Sequence, residues 1–128
     1  MDKARIDKMI PKAYSVLLDI EIANDKKTIN KGYRGQISSF GAAVSTGSLL
    51  SAVSFFSAQG DSKVKRDYLM YAIYLLLKEE RAVKPIKKEQ LNELYEYIKP
   101  LASDAAMKER VLDAAIALKL AMNLFEPI

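Results

Sequence analysis

The chain has 128 residues, half of them apolar and 28% charged, a composition that belongs to a globular domain and not to a disordered segment. It contains neither histidine nor cysteine, which removes the commonest general base and transition-metal ligand together with every disulfide and thiolate metal site. Twenty Lys and Arg against sixteen Asp and Glu give a net charge of +4 and a sequence pI near 9.2, a lean toward anionic partners where the cations cluster. The length fits one domain. No run approaches the ~18 uncharged apolar residues that a membrane span needs. Met1-Asp2-Lys3-Ala4-Arg5 lacks the apolar stretch of a signal peptide, so the expected compartment is the cytoplasm.

Helical periodicity runs almost from end to end, and no alternating strand pattern competes with it. Ile6, Ile10, Ala13, Leu17 and Ile20 make the apolar stripe of a first helix, in which Pro11 either introduces a kink or marks the first turn of the main body. A polar break follows at residues 24–28. Asn30 is placed to cap a second helix whose inner face is Ile37, Phe40 and Val44. Gly47-Ser48 interrupts, and Leu49, Leu50, Val53 and Phe56 resume the pattern in a short third helix. Gly60-Asp61-Ser62 supplies a stop and a fresh cap.

Residues 63–81 form the most hydrophobic helix. Leu69, Ile73, Leu76 and Leu77 make its stripe, and Tyr68, Tyr71, Tyr74 and Leu75 cover much of the rest. Such a helix is central to its domain or meets a partner. Beyond Lys84-Pro85 a short helix carries Leu91, Leu94, Tyr95 and Ile98 to Lys99-Pro100. The last helix opens with Ser103 as cap and Asp104 in the first turn. Its stripe is Met107, Val111, Ala114, Leu118, Ala121, Met122 and Phe125. The expected architecture is all-α: a compact single-domain bundle of about five or six helices over residues 1–128, with antiparallel neighbours.

Catalytic constellations are sought in vain. Gly35, Gly41 and Gly47 are not followed by the Gly-Lys-Ser/Thr of a phosphate loop. Ser62 and Lys65 have the spacing of an acyl-transfer pair without its companion motifs. Glu89, Glu93 and Glu96 share a helix face, which reads as solvated surface in preference to a cation site. Tyr68, Tyr71 and Tyr74 read as the wet edge of a core before they read as a base-stacking platform. The chain is therefore expected to be no enzyme, with no metal and no cofactor.

Charge placement is more informative. Residues 24–36 hold Lys26, Lys27, Lys31 and Arg34 against Asp25 alone. Residues 78–88 hold Lys78, Arg81, Lys84, Lys87 and Lys88 against Glu79 and Glu80, and Lys63, Lys65 and Arg66 add a third group. Lys31 and Arg34, three apart, share a helix face. The candidate phosphate contacts are Lys26, Lys27, Lys31 and Arg34 first, then Lys65, Arg66 and Arg81. On charge alone, an ordinary solubilising surface stands level with this reading. In residues 35–48, ten of fourteen are Gly, Ala, Ser or Thr, small enough for another backbone to approach. Packing between helices of the same chain is the preferred explanation, and approach of a nucleic-acid strand is the other.

Lys31-Gly32-Tyr33-Arg34, the amphipathic run to Val44, and Thr46-Gly47-Ser48-Leu49-Leu50-Ser51-Ala52-Val53-Ser54-Phe55-Phe56 together resemble the small-subunit family of the type III-B (Cmr) CRISPR effector complex. The tyrosine-rich helix, the long closing helix and the length agree with it, so the resemblance spans residues 1–125. The chain departs from that pattern in lacking tryptophan late in the last helix, where Phe125 stands, and in Ser38-Ser39-Phe40-Gly41 before the glycine turn. The resemblance implies a catalytically inert antiviral-defence subunit. It would self-associate in an inner filament beside other effector-complex subunits and contact guide RNA and target RNA through basic surfaces. A type III-A small subunit and a protein-only helical adaptor, docking a partner through the apolar fourth helix and the glycine-rich segment, are the alternatives.

Overall fold

A computed structural model describes residues 1–60 and 63–128. Its helices are α1 (Lys3–Asp19), α2 (Gly32–Thr46), α3 (Leu49–Ser57), α4 (Arg66–Lys78), α5 (Lys88–Leu91), α6 (Glu93–Ile98) and α7 (Ala105–Met122), with a 3-10 turn at Lys99–Leu101. The all-α expectation holds, with seven helices among the described residues instead of five or six. The extra count comes from Asn92, which divides the expected fifth helix into α5 and α6. The periodicity did not announce one feature. Strands β1 (Thr28–Ile29) and β2 (Glu126–Pro127) pair in parallel, Thr28 opposite Glu126 and Ile29 opposite Pro127. Two residues per strand are too few for an alternating pattern to register.

Local chemistry explains most boundaries. The side chain of Asp2 accepts from the Arg5 N–H at 3.1 Å, so α1 starts well before Pro11. Pro11 therefore lies exposed inside a continuous helix and is not its first turn. Asn30 works as expected, one residue early: its Oδ1 accepts from the Gly32 N–H at 2.8 Å. Ser48 caps α3 through the Ser51 N–H at 3.1 Å. For α7 the cap is Asp104, accepting from Ala106 at 2.8 Å, and not Ser103. The expected cap at Ser62 lies outside the described residues.

Helix α4 is the centre of the fold. Nine of its thirteen residues are buried, on every side, with α1, α2, α3, α6 and α7 packed around it. The fourth helix is thus covered by its own chain, which removes the adaptor surface expected there. Helix α7 crosses against α1 and α2, burying Val111, Ala114, Leu118 and Ala121 completely. One continuous apolar cluster runs through all these helices.

That core includes a carboxylate. Asp113, in the middle of α7, is fully buried. Its Oδ2 lies 2.7 Å from an Arg5 guanidinium nitrogen and accepts from Arg5 Nε at 2.9 Å. The Asp2 N–H, at the positive end of α1, adds a longer bond at 3.3 Å. Arg5→Ala would strand this charge in the core, with an expected loss of about 2–3 kcal/mol, the lower side of the range for broken buried pairs because Arg5 is partly exposed. Chemical denaturation of Arg5→Ala and of Arg5→Met with Asp113→Leu checks this: the double variant is expected to regain most of the loss.

Candidate nucleic-acid interface

The polar break at residues 24–28 is an ordered turn. Asn24 Oδ1 accepts from the N–H groups of Lys26 at 2.9 Å and Thr28 at 3.2 Å, and Asn24 Nδ2 donates to Thr28 Oγ1 at 2.6 Å. Lys27 occupies the left-handed region at φ 65°, where a non-glycine residue costs about 1–2 kcal/mol. Its ammonium stands 5.5 Å from the centre of the Tyr14 ring, which stacks on Phe125 at 4.7 Å. The last residues of the chain then fasten this region. Glu126 N–H donates to the Lys27 carbonyl at 2.8 Å, Ile128 N–H to Ile29 at 2.8 Å, and Lys31 N–H to the Ile128 carbonyl at 3.1 Å. Lys26, Lys27 and Lys31 are therefore exposed around one small ladder, with Arg34 a turn further along α2.

The start of α2 meets the segment before α4. A Cβ on Gly32 would come within 2.8 Å of Val64, so the close approach requires glycine there. The Tyr33 hydroxyl accepts from the Lys65 N–H at 3.0 Å; burial pushes that hydroxyl's pKa up. The segment of Val64 and Lys65 is thus held against Gly32 and Tyr33 at the start of α2.

Three adjoining clefts make a groove here. The first, about 590 Å³, is bordered by Asn24, Thr28, Tyr33, Lys63, Lys65 and Lys84. The second, about 510 Å³, shares Lys65 and Tyr68 with it and adds Ser57, Asp67, Lys88 and Asn92. The third, about 430 Å³, shares Ser57, Lys88 and Asn92 and reaches Tyr95. Lysines and tyrosines therefore alternate along a groove assembled from distant segments, as in sites that hold single strands by phosphate attraction and base stacking. Carboxylates are present too. Asp19 faces Arg81 at 3.9 Å and Glu96 is bonded to Lys99 at 3.0 Å, while Glu21 and Asp67 complete the lining.

Each expected contact has a definite place. Lys26, Lys27 and Lys31 lie at or beside the ladder, Arg34 follows exposed in the first turn of α2, and Lys65 borders the groove. Arg66 lies along the surface over α3, its guanidinium 4.6 Å from the ring of the exposed Phe55 and its Nε donating to the Ala58 carbonyl at 3.3 Å, so it braces the exit of α3. Arg81 is 88% exposed and lines a further cleft with Lys12 and Ser15, which shares Asp19 with the first. Lys84 and Lys88 enter the groove although charge density alone did not single them out.

The tyrosines divide. Tyr71 is buried, its hydroxyl accepting from the Val83 N–H at 2.9 Å. Tyr74 is half-buried, and burial with the Glu93 carboxylate beside it pushes its hydroxyl up to about 12. Of these three tyrosines it is Tyr68 that borders the groove, with the Lys65 ammonium 5.0 Å from its ring centre. Among the described residues no acidic cluster is arranged to hold a metal ion. Ser62, of the Ser62–Lys65 spacing, lies outside them.

The glycine seam does not serve packing within the chain, contrary to the preferred expectation. Positions where a Cβ would meet nothing within 4 Å include Gly35 and Gly41. The buried stripe of Ile37, Phe40 and Val44 occupies the opposite side of α2, leaving Ser38, Ser39, Ala42 and Ser45 exposed. Gly47 differs: a Cβ there would press on the Ala43 carbonyl at 2.9 Å.

Asp67 is the other residue that sequence reasoning passed over. It is buried in the first turn of α4, its Oδ1 accepting from the Tyr68 N–H at 3.0 Å. Burial raises its pKa above the usual carboxylate value, more than the hydrogen bond and the Lys65 and Arg66 charges lower it. Ionising this side chain thus costs folding free energy, and the cost disappears as pH falls below the unfolded value. Asp67→Asn is expected to raise the denaturation midpoint at pH 7, with the gain shrinking as pH approaches 3.5, which thermal melts across that range measure. Comparison of the chain with protein-family models, with curated proteins and with solved structures finds no match.

Proposed function

We propose that this protein is a non-catalytic RNA-contacting subunit of the type III-B small-subunit kind, cytoplasmic, self-associating beside other effector-complex subunits and touching guide and target RNA through its basic surface. The observation that supports the reading best is the groove in which Lys63, Lys65, Lys84 and Lys88 converge with Tyr33, Tyr68 and Tyr95 from distant segments. Lys26, Lys27, Lys31 and Arg34 extend the cationic surface at one end. Phosphate attraction along such a surface ignores base identity. The lack of histidine and cysteine supports an inert role.

No helix of the described residues is long and apolar enough to cross a membrane. The uncharged outer face of α2 supports a second reading, a protein-only helical adaptor. That reading needs the α2 face alone, because α4 is covered and Tyr71 is buried.

Fluorescence anisotropy with labelled single-stranded RNA separates the two. Affinity is expected to fall steeply with salt, the logarithmic slope losing about 0.7 for each phosphate contact removed. Charge reversal in Lys31→Glu with Arg34→Glu, and in Lys65→Glu with Lys84→Glu, is expected to weaken binding of every RNA sequence alike. Affinity untouched by both pairs would refute the RNA surface and leave the adaptor standing.

A further inference from the structure

We infer that the cleft between the end of α3, the start of α4 and α5 is a pocket for a single unpaired guanine base, read through the Asp67 carboxylate. The inference rests on the RNA-contacting reading and adds base recognition to it. The cleft, about 510 Å³, lies within the size range of small-molecule sites. Its lining mixes polar and apolar groups: Ser57, Asp67 and Asn92 meet there with Leu91, Tyr68 lies beside them, and Lys65 and Lys88 also border it.

Two of these groups stand out, one without any partner and one a buried carboxylate held by backbone N–H alone. Ser57 Oγ is shielded from solvent and has no hydrogen-bond partner, a condition that normally calls for a bound group or a missing donor. Asp67 is buried, and its neighbouring cations do not offset the burial. As a helix-terminal carboxylate it interacts favourably with the α4 dipole, but an exposed position would supply that without the desolvation. A ligand bringing N–H donors satisfies both.

The chemistry selects one base. An ionised carboxylate only accepts, through two parallel oxygens. Guanine alone among the four RNA bases presents two adjacent N–H donors, N1–H and N2–H, on its pairing edge. Adenine and cytosine each set a donor beside an acceptor, and uracil sets its one donor between two acceptors, so each points a lone pair at the carboxylate. Tyr68 offers a ring beside the base, and Lys65 and Lys88 stand where the flanking phosphates of an extruded nucleotide would pass. Lys65 also borders the first cleft, so a strand following the groove leads past the pocket.

The test uses the full chain and uridine 12-mers carrying one central guanosine, adenosine or cytidine, with guanosine monophosphate and adenosine monophosphate titrated separately by NMR. The guanosine 12-mer is expected to bind at least about fivefold more tightly than the others. Asp67→Asn, which replaces one acceptor by a donor, is expected to abolish that preference, and because it also removes a negative charge from the groove, to raise affinity for all the 12-mers without guanosine by the same factor. Ser57→Ala is expected to reduce the preference. Equal affinity for all four 12-mers overturns the guanine pocket and leaves the phosphate-contacting surface intact. Shifts of Tyr68 with guanosine monophosphate alone, in a protein that binds no RNA strand, support the pocket and refute the RNA reading. An absence of both kinds of binding refutes both.

Discussion

Helix α4 is apolar around nearly its whole circumference, and a helix of that kind must be enclosed on all sides by the rest of its chain or by a partner. Here the chain does the enclosing. Apart from the half-buried Tyr74, it is the two ends of α4 that then meet solvent, and both are arranged by that requirement. At the far end Glu79 turns left-handed, at φ 54°, and the buried Tyr71 hydroxyl holds Val83 through its N–H. The chain is thereby led back along the core, which brings Lys84 beside Lys63 and Lys65. At the near end the first turn carries Asp67 and Tyr68 to the wall of the groove. The groove is a consequence of covering α4 with short helices that do not fully close over its N-terminus.

The second organiser is the contact between the two strands. Three backbone hydrogen bonds bind Glu126 and Ile128 to the segment from Lys27 to Lys31. They turn a polar loop into a presented surface on which three lysines are exposed. The strained backbone of Lys27 is informative in the same sense. Glycine would be cheaper at that position, yet the lysine ammonium rests over Tyr14, which in turn stacks on the core residue Phe125. Charge at the surface and packing beneath it are thus joined through one aromatic pair.

The groove is electrically mixed. Its lysines are exposed, Lys65 with its ammonium over the Tyr68 ring, and two of its four carboxylates are engaged by Arg81 and Lys99. A surface of this kind attracts a polyanion weakly and over several points, so affinity depends on how many copies act together. Asp67 stands apart because it is buried and costs stability when ionised. Residues that a fold keeps at a stability cost are where function is sought first.

Helix existence and the inward faces were legible in periodicity, because burial of one stripe of a helix leaves a 3.6-residue signature in the sequence. Ile37, Phe40 and Val44 illustrate it, as do Val111, Ala114 and Leu118. The cap at Asn30 was legible for a similar reason, since capping is a bond between near neighbours, whereas Ser48 reads only as an interruption and Ser103 as the cap that Asp104 provides. The cation clusters were legible as composition but not as a site. Arg66 belongs to the densest of them and is spent on Phe55 and Ala58, whereas Lys84 and Lys88, from a cluster where Arg81 was favoured, reach the groove. The open glycine face of α2, the β1–β2 ladder and the Arg5–Asp113 pair were likewise undetectable. Each depends on what packing brings together or leaves uncovered, across 108 positions in the case of Arg5 and Asp113, and no local pattern encodes that.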